Sequence, residues 1–109
     1  MKDKEYIKRI ITYCEKIQKY MEGMTSVEIF EKNELHIDAI MLNLEQIGET
    51  AKKLSDTEKG KYSSIDWSKV IGLKNIISHQ YEGVDISIIY VIATTHIKQL
   101  SHSLYLKSI

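Results

Sequence analysis

A chain of 109 residues and 12.7 kDa has room for one hydrophobic core of ordinary size and not for two, so residues 1–109 are read as a single domain. Apolar residues make up 43% and charged residues 28%, a balance that excludes a disordered chain, and no apolar run approaches the roughly 20 residues needed to cross a bilayer. Fifteen basic residues offset fifteen acidic ones, which excludes a broad cationic nucleic-acid surface and confines any RNA chemistry to a local site.

The chain contains no proline and its five glycines are scattered, which favours an all-α fold. The opening MKDKEYIKRI lacks the apolar stretch of a secretory signal, so a cytoplasmic setting with no membrane association is expected. Tyr6, Ile10, Tyr13, Cys14, Ile17 and Met21 recur at helical spacing and predict a first helix over 4–22, ended by Gly23. Cys14 is the only cysteine; it has no partner for an intramolecular disulfide and is read as a small packed apolar residue. Thr25 or Ser26 can cap a short helical turn through Val27, Ile29 and Phe30.

A longer helix is predicted over 33–54, with Ile37, Ile40, Leu44, Ile47, Ala51 and Leu54 stepping by three or four. Ala39, Met41 and Leu42 widen that stripe, so the helix should be buried on more than one side, either centrally or against a second subunit. Gly48 inside it costs about 1 kcal/mol relative to alanine unless close packing or a site uses the bare backbone. The polar stretch 55–64 reads as a connecting loop with room for one helical turn. From Asp66 another helix carries Trp67, Val70, Leu73 and Ile77 and ends around Gln80, before Glu82 and Gly83. Asp85 then caps a last helix to about Leu106, whose inner face is Ile86, Ile89, Ala93, Ile97, Leu100 and Leu104. The sum is an antiparallel bundle of four main helices plus one short one.

Polar groups concentrate in one place, the run Lys74, Asn75, Ile76, Ile77, Ser78, His79, Gln80, Tyr81 at the end of an otherwise apolar helix. Asn75 and His79 share a face, while Lys74, Ser78 and Tyr81 lie on a neighbouring one. Lys74 and His79 do not stack, so the lysine needs its long stem to bring its charge near the imidazole. A histidine beside a cation, an amide and hydroxyls suits metal-free phosphodiester cleavage: the imidazole moves the proton of a ribose 2′-hydroxyl or of the leaving oxygen, and the cation stabilises charge growing on phosphate. Taken alone, one histidine near a helix end is more often a cap or a packed surface residue.

Trp67, Ile71, Gly72, Leu73, Lys74, Asn75, His79 and Tyr81 together resemble the motif of the HEPN superfamily in its HepT form, which reads arginine, four residues, histidine, one residue, tyrosine. The tyrosine-bearing first helix, the element from Ser26 to Phe30, and Leu44, Glu45, Gln46, Ile47, Gly48, Glu49 followed by Ala51 and Leu54 extend the likeness over nearly the whole chain. The resemblance implies a metal-independent endoribonuclease that needs no cofactor. It further implies the toxin of a type VII-like toxin and antitoxin pair, a homodimer whose two motifs meet across the interface. A minimal nucleotidyltransferase partner would neutralise it by attaching AMP to the motif tyrosine. Carried over, His79 is the catalytic acid or base, Asn75 its polar neighbour and Tyr81 the modified hydroxyl, whose AMP would block the site by bulk and negative charge.

Lys74 stands where the family has arginine. It keeps the charge but lacks the planar fork that grips phosphate through two parallel bonds. Two readings follow: a weakened nuclease, or a non-catalytic helical module that binds the nucleotidyltransferase as its substrate or recruiting subunit.

Glu49 and Gln46 either line the same polar cleft as Ser78 and the motif or are ordinary solvated helix residues. His36, His96 and His102 lack metal-site spacing, the nearest pair being six apart. Lys52, Lys53, Lys59 and Lys61 form a modest basic patch or simply a solvated loop. The tyrosines, Tyr6 and Tyr13 among them, fit core or dimer contacts better than base stacking, and Trp67 is read as the anchor of the motif helix.

Overall fold

The computed structural model describes the backbone of residues 2–79 and 85–108 and the side chains of 2–75 and 85–106. The elements run α1 (Lys2–Tyr20), α2 (Val27–Glu31), α3 (Glu34–Lys52), α4 (Asp56–Gly60), α5 (Trp67–His79), α6 (Ile86–Val91), a π-helical segment (Ile92–His96) and α7 (Ile97–Ser108). The expected helices are present, and the stretch read as a loop with room for one helical turn holds a short helix, α4. None of the helices among the described residues is long and apolar enough to cross a membrane.

Helix boundaries follow local chemistry. Gly23 ends the α1 turn with φ +82°, a left-handed backbone that costs glycine nothing. Of the two cap candidates before α2 it is Ser26 that acts, its hydroxyl accepting from the Ile29 N–H at 3.2 Å. Asp85 caps α6 by accepting from Ser87 N–H at 3.0 Å. Ser55 caps α4 by accepting from Glu58 N–H, while its own N–H and hydroxyl both donate to the Asp3 carboxylate at 3.0 and 2.7 Å. Those two bonds hold Asp3 below the ordinary carboxylate pKa. They also place the start of α1 beside the end of α3, so the two helices are antiparallel.

The last helix is not regular. In the π-helical segment the Ile97 N–H reaches back five residues to the Ile92 carbonyl. The Thr94 hydroxyl donates to the Tyr90 carbonyl at 2.7 Å, the back-bonding that loosens a helix from within.

The core runs the length of the bundle. Ile10, Cys14 and Ile17 of α1, Phe30 of α2, Ile40, Leu44 and Ile47 of α3, and Ile89, Ile97 and Leu104 of the last helix are all fully or almost fully buried. The wide stripe of α3 has its explanation in position, because α3 packs against both α1 and α5. The stripe is not covered throughout: Met41 is buried, whereas Leu42 is 59% exposed. Cys14 is packed as expected, and burial pushes its thiol up to about 12. Tyr90 stacks obliquely on Phe30 with centroids 5.4 Å apart and donates its hydroxyl to the Met24 carbonyl at 3.0 Å, tying α6 to the turn before α2.

Candidate active site

The site is built on α5, and α5 is held by α3. Trp67 opens the helix as its anchor: its indole N–H donates to the Lys59 carbonyl at 3.0 Å and its ring meets Tyr62 edge-on at 6.1 Å. Halfway along, the two backbones come so close that a side chain could not pass between them. A Cβ added at Gly48 would stand 2.9 Å from the Lys74 backbone nitrogen and 3.1 Å from the Ile71 carbonyl oxygen. The glycine that weakens α3 as an isolated helix is therefore the residue that lets α5 settle against it.

That approach fixes the surroundings of Lys74. Its ammonium lies 3.0 Å from Oε1 of Glu49, the neighbour of Gly48 on α3. The lysine side chain is 24% exposed and the glutamate 44%. The hydrogen bond and charge of Lys74 hold the Glu49 carboxyl below its ordinary pKa, and Glu49 in turn holds Lys74 protonated to higher pH than a free lysine. Glu49 is therefore one partner of an ion pair, a relation that the sequence placed only as a shared polar cleft. Gln46 lies one turn earlier on α3, half-exposed, and Asn75 is exposed on α5. The backbone of Ser78 and His79 forms the last turn of α5. Their side chains, and Tyr81 altogether, lie outside the described residues.

A ring of five residues separates Lys74 from His79, about 140° around an α-helix. With its ammonium drawn toward α3, Lys74 points away from the face that Asn75 and His79 share. Lys74 thus leaves the helix on the side of α3, about 140° around the axis from the backbone position of His79.

On the far side of α5 the packing is open. A cleft of about 640 Å³ separates α5 from the π-helical segment and α7, with Val70, Leu73, Ile92, Ile97 and Leu100 along its walls and Lys69 and His96 among its polar lining. Gly72 lines it as well, and a Cβ there would meet nothing within 4 Å.

Of the four patch lysines, Lys52 lies beside the Glu49 and Lys74 pair and adds its charge to that of Lys74 on the carboxylate, while the other three are engaged locally. Lys53 lies over the Tyr6 ring at 5.9 Å, Lys61 pairs with Glu58 at 3.1 Å, and Lys59 approaches Asp56 at 4.0 Å. Lys53, Lys59 and Lys61 thus behave as a solvated, locally engaged surface rather than as an RNA track. His36, His96 and His102 are exposed, and among the described residues no three His, Cys, Asp or Glu side chains gather as a metal-ligating group.

Residues 10–105 match the family model described as ribonuclease HepT-like. A protein of Caldanaerobacter subterraneus subsp. tengcongensis named "Putative RNase" is 30% identical over 95 residues, 87% of this chain and 84% of that relative. A "Putative RNase" of Methanocaldococcus jannaschii is 29% identical over 97 residues, covering 89% of this chain and 83% of its own length. The same organism has a "Gamma-glutamylcyclotransferase and putative RNase" that is 28% identical over 101 residues; the match takes in 93% of this chain but only 45% of that longer protein. No solved structure matches the chain.

Proposed function

This chain belongs to the HepT-like ribonuclease family, and on that premise we propose that it is a metal-independent endoribonuclease acting as the toxin of a toxin and antitoxin pair. The observation that carries the reading is Lys74: a protonated cation held at a defined place on the helix that ends in His79. In the reaction the 2′-oxygen of a ribose attacks the adjacent phosphorus and the 5′-oxygen of the next nucleotide leaves. The 2′ proton passes to a base and the leaving oxygen receives a proton from an acid. His79 takes one of these proton transfers, Lys74 stabilises the phosphate oxygens, and Asn75 orients the imidazole or the substrate.

A homodimer fits this chemistry better than a lone subunit. The positions of Lys74 and His79 are about 140° apart around α5 and the Lys74 ammonium is drawn toward Glu49, so a complete site is more readily assembled from the Lys74 of one protomer and the His79 of the other. The exposure of Leu42 on α3 supports the same reading, since a second subunit would cover it. Regulation follows from Tyr81. A nucleotidyltransferase partner that attached AMP to its hydroxyl would place a bulky phosphodiester anion two residues from His79, where it repels RNA phosphate.

Intact mass of the chain, purified with and without a cognate nucleotidyltransferase and ATP, tests the regulatory half. A gain of one or more AMP units that is lost in Tyr81→Phe is expected; an unchanged mass removes it.

The Glu49 to Lys74 ion pair favours one competing reading, in which the cation is neutralised and the chain is a non-catalytic substrate or recruiting subunit of the nucleotidyltransferase. Lys74→Arg separates the two. Increased RNA cleavage that also requires His79 supports the enzyme, and absence of cleavage in both forms supports the binding module.

A further inference from the structure

We propose that Glu49 is the positioning residue for Lys74, a carboxylate on the neighbouring helix that supplies the rigidity a lysine lacks at the cation position of the motif. The inference rests on the ribonuclease reading and deepens it.

An arginine at this position brings its own order, because its planar guanidinium presents donors in a fixed fork. A lysine brings a compact charge on a flexible four-carbon stem, which loses rotamer freedom whenever it must hold one place. In this chain the stem is held beforehand. Glu49 Oε1 accepts from the ammonium at 3.0 Å. The carboxylate is itself mounted on a stretch of α3 whose neighbours Ile47, Gly48, Thr50 and Ala51 are buried. The bare backbone of Gly48 against Lys74 N and Ile71 O sets the distance between the two helices at that turn. Backbone spacing, carboxylate and ammonium therefore form one constrained unit.

An ammonium has three N–H donors, and among the described residues Glu49 is the ion-pair partner of Lys74, an arrangement that leaves donor capacity for the oxygens of a scissile phosphate. The carboxylate nevertheless lowers the net positive charge that an incoming RNA encounters. Glu49 thus sacrifices ground-state attraction for placement in the transition state, and the two effects have opposite kinetic signatures.

The experiment is steady-state cleavage of a short single-stranded RNA of mixed sequence by the full chain and its Glu49→Gln, Lys74→Arg and Glu49→Gln/Lys74→Arg variants, with His79→Ala as the blank. Alongside it, the Lys74 ammonium is titrated by NMR in the native chain and in Glu49→Gln. We expect Glu49→Gln to lower kcat about tenfold or more, in keeping with the sensitivity of such chemistry to small misplacements, while KM stays level or falls. In the Lys74→Arg background the same substitution should cost less than about threefold, because the guanidinium is already ordered. The Lys74 titration should move down toward that of a free lysine in Glu49→Gln.

An unchanged kcat, or an equal loss in both backgrounds, overturns the positioning role. A raised kcat does so too, since it would make Glu49 an inhibitory latch. If the native chain shows no cleavage above the His79→Ala blank, the ribonuclease reading fails by itself. The titration then still decides whether Glu49 holds the ammonium, and an unmoved Lys74 overturns that as well.

Discussion

On the α3 side of α5 there is no room for a methyl group at Gly48, whereas on the cleft side an added carbon at Gly72 meets nothing within 4 Å. Both glycines are helical and both cost their helix roughly the same intrinsic propensity. Their surroundings give them opposite meanings. At Gly48 the missing side chain is what lets two backbones touch and what brings Lys74 to Glu49. At Gly72 it leaves a gap on a wall that packing has not closed. The helix carrying the candidate motif is therefore braced along one edge and left open along the other, and residue type alone does not tell which edge is which.

The sharpest way to break this contrast is Gly48→Val, which forces a branched side chain against backbone atoms that cannot swing aside. Overpacking of this kind costs about 3 kcal/mol, read as a lower urea midpoint with an unchanged slope, and any RNA cleavage should fall with it. Retention of native stability would show that the two helices can part freely.

Trp67→Phe tests the same braced edge at its other anchor. Loss of the indole bond to the Lys59 carbonyl should cost about 1 kcal/mol, visible as a lower unfolding temperature; no change would mean that the ring contact with Tyr62 alone fixes the start of α5.

Gly72→Ala addresses the open edge and should act in the reverse direction, stabilising the monomer fold by about 0.5–1 kcal/mol through helix propensity. If it instead destabilises, the cleft is occupied in solution.

The smallest effect is electrostatic. Glu49 has its folded pKa below the ordinary 4.5 and Lys74 above the ordinary 10.5. For the lowered carboxyl, the stabilisation is full above the unfolded value and is lost as pH falls through the folded one. For the raised ammonium, it is full below the unfolded value and is lost as pH rises through the folded one. The difference in unfolding temperature between the native chain and Lys74→Gln should hence be level between about pH 5 and about pH 10 and shrink outside that window. It should also diminish with added salt, because both groups are partly exposed. A difference that varies near neutral pH would falsify the ion pair as its source.

Much of this architecture was legible in the sequence because it is encoded locally. The apolar spacing of α1, α3, α5 and the last helix, the caps at Ser26 and Asp85, and the stop at Gly23 each depend on residues within a turn or two. What was not legible depends on partners far apart in the chain. The polar stretch after α3 becomes a capped helix with Asp3 bonded to its cap, and nothing in residues 55–64 announces a partner 52 positions earlier. The π-helical segment preserves the same apolar stripe that an unbroken helix would need, so periodicity could not reveal it. The pairing of Glu49 with Lys74 had one visible sign, a glycine next to a glutamate inside a strong helix. Reading it required knowing which helix would pack there. His79 and Tyr81 stood out as members of the polar run at the end of an apolar helix, and the roles proposed for them rest on family resemblance rather than on geometry.

The bond between Asp3 and Ser55 has a consequence for how the molecule comes into being. A growing polypeptide presents its early residues first, and this clasp can close as soon as α3 and the first residue beyond it are available. By then α1, α2 and α3 have all their mutual contacts in hand, and none of the motif has yet been made. Helix α5 is consequently added to a surface already waiting for it, with Gly48 and Glu49 in place before Lys74 arrives. A nascent chain built in that order has its α1, α2 and α3 scaffold assembled before the segment from Lys74 to His79 leaves the ribosome.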